Sequence, residues 1–399
     1  MSETSAKQKS TKLKKFYTIL CTLLILLIPI LFLYGIVEDR SNYERDAERK
    51  VETSWASSQT ITAPVLAIPT NDTKNPYKYF TLNDYDVDVY ITTELRKKGI
   101  FKVPVYTANV EVKGNFKNDY APLKNQPVEF SFNVSDSKGF VSSPQFKLMD
   151  NEFIQSHDTI YKKKLTTSAE LIPFEITYKL RGSKEIYVKP EGLMNKIEIE
   201  GDWNNPSFEG DFLPAEREVA AEYFEGEWEI PYIAVSSQKD ARLGVSLLMS
   251  VDTYRMATRA LKYSFLFLSL TFLSYFIFEI TSKEDKKIHP LQYMMMGAAM
   301  LIFYLLLVSM SEFIPFGAAY LIAGIMTVAL IGAYTYFILT KRQNLKFALL
   351  ISAIMTVLYV FFYTLLVIQD FSLIIGSIVL FLIISLVMYT TRNVEWYND

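Results

Sequence analysis

The chain has 399 residues, half of them apolar, and its 41 Lys and Arg nearly balance 43 Asp and Glu, for a formal charge of −2. That balance gives no reason to expect a nucleic-acid partner. Two histidines and one cysteine exclude a thiolate metal site and are poor material for an enzyme, and no cofactor is expected.

Residues 1–15 form a basic cytoplasmic tail with Lys7, Lys9, Lys12, Lys14 and Lys15. Residues 16–37 are apolar and long enough for a span, which needs ~20 residues to cross ~30 Å of hydrocarbon. The run is too long for a signal peptide, and no small-x-small site follows "YGIVEDRSNY", so it reads as an uncleaved signal anchor. Cys21 follows the bulky Leu20 early in the run, which does not fit a lipoprotein signal. "EDRSNYERDAERKV" then reads as a helical stalk, with Tyr43, Ala47 and Val51 four apart and Asp46 placed to meet Lys50.

Residues 38–262 have ordinary soluble composition and no cysteine, and beyond the stalk the hydrophobic period becomes two. "VEFSFNV" puts Val128, Phe130, Phe132 and Val134 on one face, and "FEITYKL" does the same with Phe174, Ile176, Tyr178 and Leu180. "DVDVYIT", "EIYVKP" and "KIEIEG" alternate as well, while "KGNFKND", "SDSKG" and "RGSK" read as turns. About eight antiparallel strands with one apolar face predict a β-sandwich, as one body or two subdomains.

"DYDVD" places Asp84, Asp86 and Asp88 on one strand face opposite Val87 and Val89. A calcium loop needs a glycine turn and a distal Glu, so a solvated acidic face is expected. In "NPSFEGDFLP", residues 205–214, Pro206 and Pro214 exclude a central strand and Gly210 permits an unusual backbone angle. Phe208 and Phe212 anchor the segment as a loop folded onto the sheet: either a structural corner with two buried rings or a binding loop. "SSQK", Ser236 to Lys239, fits Ser-x-x-Lys but lacks the companion motifs of serine acyl-transferases.

Five more apolar runs follow at 263–280, 291–310, 316–339, 347–368 and 371–389, with a short tail at 390–399. Just before them Arg255, Arg259 and Lys262 share one helical face, suited to snorkelling or to coupling the β domain to the bundle through the acidic stretch from Glu209 to Glu229. Of the 41 basic residues 29 lie in 38–262, and the other 12 all lie in 1–15, 281–290, 340–346 and 390–399. The positive-inside rule therefore puts both termini in the cytoplasm and 38–262 outside it. No ionisable group sits near the middle of a span; Glu279, His289, Glu312 and Asp370 lie at helix ends and read as interfacial, which disfavours an ion-coupled transporter. Ala319, Ala323 and Thr327 recur every fourth residue, as close helix packing requires.

The fold class expected is a six-span α-helical membrane domain, one span plus five, with a large β-rich, sandwich-like extracytoplasmic domain between spans 1 and 2. "WNNPSFEGDFLPAEREV" resembles the signature loop of the CreD family of cell envelope integrity proteins. "LLIPILFLYGIVEDRSNYERD" is similar to that family's first span, "APVLAIP" to its first strand and "DTYRMATRALKYSFLFLSLTFLSYFIFE" to its return into the membrane. "HPLQYMMMGAAMLIFYLLLVSMSE" and "TRNVEWY" resemble further points in the same order.

The resemblance implies a bacterial plasma-membrane (inner-membrane) protein tied to envelope integrity. It also implies expression linked to a two-component regulatory system that responds to envelope or nutrient stress. It supplies no reaction and no catalytic residues, and marks Trp203, Pro206, Phe208, Gly210, Asp211, Phe212 and Pro214 as signature positions. The expected partners are the lipid bilayer and an envelope component or membrane protein. The expected role is non-enzymatic binding by the outer domain, with transport or lipid handling by the five-helix cluster as the alternative.

Overall fold

The structure is a computed structural model that describes residues 2–149, 151–153, 160–238, 240–247, 253–281, 288–338, 344–368 and 371–392. Two compact units divide the chain: Met1–Tyr43 with Val251–Asp399, and Glu44–Ser250. Helix α1 (Ser2–Ser54) begins in the first unit and ends in the second.

Sixteen strands, numbered along the chain, build the second unit among the described residues. The central sheet runs in the order β14 (Glu216–Val219), β15 (Phe224–Pro231), β12 (Met194–Gly201), β4 (Thr81–Lys98), β5 (Phe101–Lys117), β10 (Leu171–Ser183), β7 (Gln145–Leu148) and β8 (Asn151–Phe153). One face is apolar along the middle of the strands, with Val87 and Val89 of β4, Val110 and Val112 of β5, and Ile197 and Ile199 of β12 buried on it. Two four-stranded sheets cover that face.

One covering sheet orders β3 (Tyr77–Tyr79), β2 (Val65–Pro69), β6 (Leu123–Ser131) and β9 (Ile160–Thr167). Phe130 of β6 stacks on Phe146, and Phe132 just beyond it stacks on Tyr178, with ring centroids 3.8 and 5.9 Å apart. The other orders β1 (Gln59–Ile61), β11 (Glu185–Val188), β16 (Leu243–Leu247) and β13 (Pro206–Gly210). A single turn, α2 (Tyr232–Val235), follows β15. One hydrophobic core joins the three sheets, so the unit is a single sandwich. Each large ring buried there contributes ~1.5–3 kcal/mol relative to exposure.

Three expectations need correction. The strands number sixteen, and β12 pairs with β4 and β1 with β11 in parallel. "KGNFKND" is no turn over its first residues: Lys113–Lys117 closes β5, and β4 bulges between Leu82 and Asp84 opposite it. Gly114 sits where any side chain would strike the Asp84 carbonyl, so the glycine serves close backbone approach. The segment 205–214 is not all loop, because Pro206–Gly210 is an edge strand, with proline at the first position where its missing N–H does least harm.

The end of α1 is tied to the β unit. Lys184 Nζ meets Glu48 Oε2 at 2.7 Å and Glu52 Oε1 at 3.2 Å, and Val51 packs on Val103 and Val105. Trp55 lies between the guanidinium groups of Arg96 and Arg181, each 4.4 Å from its ring. Asp46 meets Arg49 rather than Lys50.

The helical unit adds α3 (Thr253–Thr281), α4 (Pro290–Ser311), α5 (Phe316–Ile338), α6 (Asn344–Val367) and α7 (Ser372–Thr391). Among the described residues, five helical stretches suit a membrane span by length and composition: Tyr17–Ser54, Thr253–Ile277, Pro290–Ser311, Phe316–Ile338 and Ala348–Val367. Helix α7 carries a shorter apolar stretch, Ile374–Ser385. Ala319, Ala323 and Thr327 form a buried face of α5. Two buried interhelical hydroxyls find partners: Tyr275 bonds Thr335 at 2.6 Å, and Tyr320 donates to the Tyr359 carbonyl at 2.8 Å.

Candidate functional site

The signature positions form one corner of the sandwich. Pro206 opens β13 opposite Leu247 of β16, and Phe208 stands opposite Val245. The Phe208 ring lies over Gly226 and meets Phe224 and Trp228 edge-on, at centroid distances of 6.3 and 5.9 Å. A side chain at position 226 would occupy the place of that ring. Trp203 and Phe212 pack half-buried against the same core, and Pro214 is half-buried.

The corner is pinned by hydrogen bonds on both sides. Trp228 Nε1 donates to the Phe212 carbonyl at 3.0 Å, and the Ala215 amide donates to the Glu227 carbonyl at 2.8 Å. Asp211 and Arg242 exchange two bonds: the Asp211 amide donates to the Arg242 carbonyl at 2.8 Å, and the Arg242 amide to Asp211 Oδ2 at 2.9 Å. Gly210 between them has φ +114°, and a side chain there would strike the Arg242 carbonyl.

Behind β13, Tyr187 donates to Glu209 Oε2 at 3.2 Å, and the Arg242 guanidinium lies 4.4 Å over its ring. Burial, then Glu185 and Glu209, push the Tyr187 phenol up to about 12. This stack was invisible in the motif, because its members stand far apart in the chain. The tip is left in solvent, with Gly210 and Asp211 exposed and Leu213 74% exposed between two half-buried residues.

The remaining candidates do not gather at the corner. Arg259 Nη2 donates to the Leu365 carbonyl at 3.3 Å, in the last turn of α6, where the helix carries partial negative charge. Arg255 and Lys262 are exposed. Glu312 is almost buried and receives Tyr254 Oη at 3.1 Å and Arg40 Nε at 3.4 Å, which joins α1, α3 and α4. Glu279 receives the Tyr293 hydroxyl at 3.2 Å and the Ile288 amide at 3.1 Å. His289 caps α4 through Nδ1, with Gln292 returning a bond to its amide.

Ser236 donates to the Ile233 carbonyl at 3.0 Å; Lys239 and Asp370 lie outside the described residues. Among the described residues no three His, Cys, Asp or Glu side chains gather as a metal site would require.

Comparison with known proteins places the chain in a family. Residues 11–397 match the family described as inner membrane protein CreD. The chain is 26% identical over 430 residues to inner membrane protein CreD of Escherichia coli (strain K12), covering 98% of this chain and 94% of the relative. A Legionella pneumophila crystal structure described as nutrient-binding is 10% identical with a TM-score of 0.31, covering 58% of this chain and 86% of its own. The chain belongs to the CreD family of multi-pass inner-membrane proteins.

Proposed function

We propose that this CreD-family protein supports cell envelope integrity without catalysis, its β unit acting outside the cytoplasm as a binding domain that the helical unit holds at the membrane. The observation that carries the reading is the corner at 203–214. Its backbone is fixed by Trp228, Arg242 and Gly210, yet it holds Leu213 74% exposed to solvent. An apolar side chain presented on a rigid loop suits recognition better than stability.

The test is complementation of a deletion strain, scored by dye or detergent leakage. Leu213→Glu alters only the presented side chain, whereas Phe208→Ser would open the core. Failure of Leu213→Glu to restore the barrier, together with rescue by the β unit on α1 alone, is the expected result. A second reading, lipid handling by the helices, draws on an apolar groove of about 960 Å³ between α5 and α6, lined by Gly324, Gly332 and Tyr359. Rescue by Leu213→Glu, but only with the five-helix cluster present, would move the assignment there.

A further inference from the structure

Cross-strand partners on the open face of the central sheet fall into rows, and neighbouring rows carry different charge patterns. One row reads Glu229, Lys196, Asp86, Lys113, Glu175, Lys147 from β15 to β7, alternating in sign at every step. The next reads Glu216, Glu227, Glu198, Asp88, Glu111 from β14 to β5 before reaching Thr177 and Gln145. Five carboxylates thus stand side by side on adjacent strands ~4.8 Å apart, a run of ~19 Å.

Lys113 meets Glu111 at 2.7 Å; among the described residues no ion pair reaches Glu216, Glu227, Glu198 or Asp88. The third row continues the acid with Glu218, Glu225 and Glu200, then Tyr90, Asn109 and Lys179. There Tyr223 lies 2.8 Å from Glu225 and 3.1 Å from Glu200, one hydroxyl proton between two carboxylates.

Like charges placed directly opposite oppose folding. The alternating row shows that lysine is accommodated on the same face, so packing does not impose the acid. A trough of about 500 Å³ overlies one end of the run, lined by Asp88, Glu111 and Glu198 with Glu200, Tyr90 and Lys179, while Glu227 and Glu216 continue the run beyond it. Among the described residues no three carboxylates converge on one point, so a metal ion does not answer this arrangement. A linear array of charge calls for a linear counter-charge. In an extended peptide, same-side side chains repeat every ~6.7 Å, so four of them span ~20 Å.

We propose that the open face of the central sheet docks an extended lysine- or arginine-rich segment of a partner protein, with basic side chains over Glu227, Glu198 and Asp88. The Tyr90 ring, 45% exposed beside Glu200, offers a further face to a cation. The inference rests on reading the β unit as a binding domain and names the chemistry of its partner.

The test uses the full chain in detergent and a fluorescent peptide of four Lys-Ser repeats, read by anisotropy. Glu198→Gln/Glu227→Gln is expected to weaken binding at least ~10-fold, with Glu170→Gln, an exposed carboxylate elsewhere on the unit, unchanged. Raising salt from ~50 to ~300 mM is expected to weaken wild-type binding comparably. Equal affinity in all three proteins, insensitivity to salt, or no binding by wild type overturns the proposal. So does displacement of the peptide by spermidine at much lower concentration. The double variant removes repulsion only, and a melting temperature at or above wild type verifies its fold. If wild type ignores the peptide while Leu213→Glu still fails to rescue leakage, the docking face falls and the binding-domain reading stands.

Discussion

Gly210 shows how one residue sets the corner. Its φ of +114° is open to glycine and strained for other residues, and its missing side chain lets the Arg242 carbonyl come close. Gly210→Ala therefore meets two penalties, backbone strain and collision, together ~2 kcal/mol or more. The expected outcome is a β unit that melts ~4–8 °C lower, with proteolysis beginning near 203–214. An unchanged melting temperature would show that the corner yields easily and does not hold Leu213 rigidly. The need for an unusual backbone angle was legible in the sequence. The atom that enforces it was not, because Arg242 lies beyond two intervening strands, and neither was Gly226, whose role appears only once Phe208 lies over it.

At the scale of elements, period-two alternation exposed the strands whose partners cover one face: Val128, Phe130, Phe132 and Val134 are all buried, as are Phe174, Ile176, Tyr178 and Leu180. What failed was local punctuation. Gly, Asn and Lys at 113–117 resemble a turn, yet they pair in register with β4 and β10 and shape a bulge. Registers between distant strands were also illegible, and they alone reveal the acidic row.

The open face that carries that row has a pH signature. Burial, followed by Asp84 and Asp88, holds the Asp86 carboxyl above its ordinary value, and burial with Asp88, Glu227, Glu225 and Glu200 does the same for Glu198. The folded state thus binds these protons more tightly than the unfolded chain. Their stabilising contribution is present below the ordinary carboxylate range of ~4–4.5 and is lost as pH rises through the raised values. Asp136 works the other way: bonds from the Ser57 amide and hydroxyl lower its carboxyl, and that contribution is lost on acidification below the same range. Glu198→Gln is expected to raise stability at pH 7 by about 0.5 kcal/mol, or ~1–2 °C, and to flatten the fall that sets in as pH rises above the ordinary carboxylate range, followed from about pH 4 to 7. Thermal melts of wild type and variant across that interval decide it: parallel curves would mean the row does not repel.

For the whole molecule the open question is which side of the membrane each unit occupies, and charge supplies the argument. All 12 basic residues outside 38–262 lie in segments that one orientation puts in the cytoplasm, while the short stretches "SEFIP" and "QD" carry acid and no base. The 29 basic residues within 38–262 do not weigh against this, because large translocated domains cross largely regardless of charge. The sequence also supplies the reporter, since Cys21 is its only cysteine. In a Cys21→Ser background, Ser168→Cys lies on an exposed turn of the β unit and Ser5→Cys in the basic tail. A maleimide that does not cross the inner membrane is expected to label Ser168→Cys in spheroplasts, and Ser5→Cys only after lysis. The reverse pattern would put the β unit in the cytoplasm. The corner and the acidic face would then have no access to the envelope, and both binding proposals would fail together.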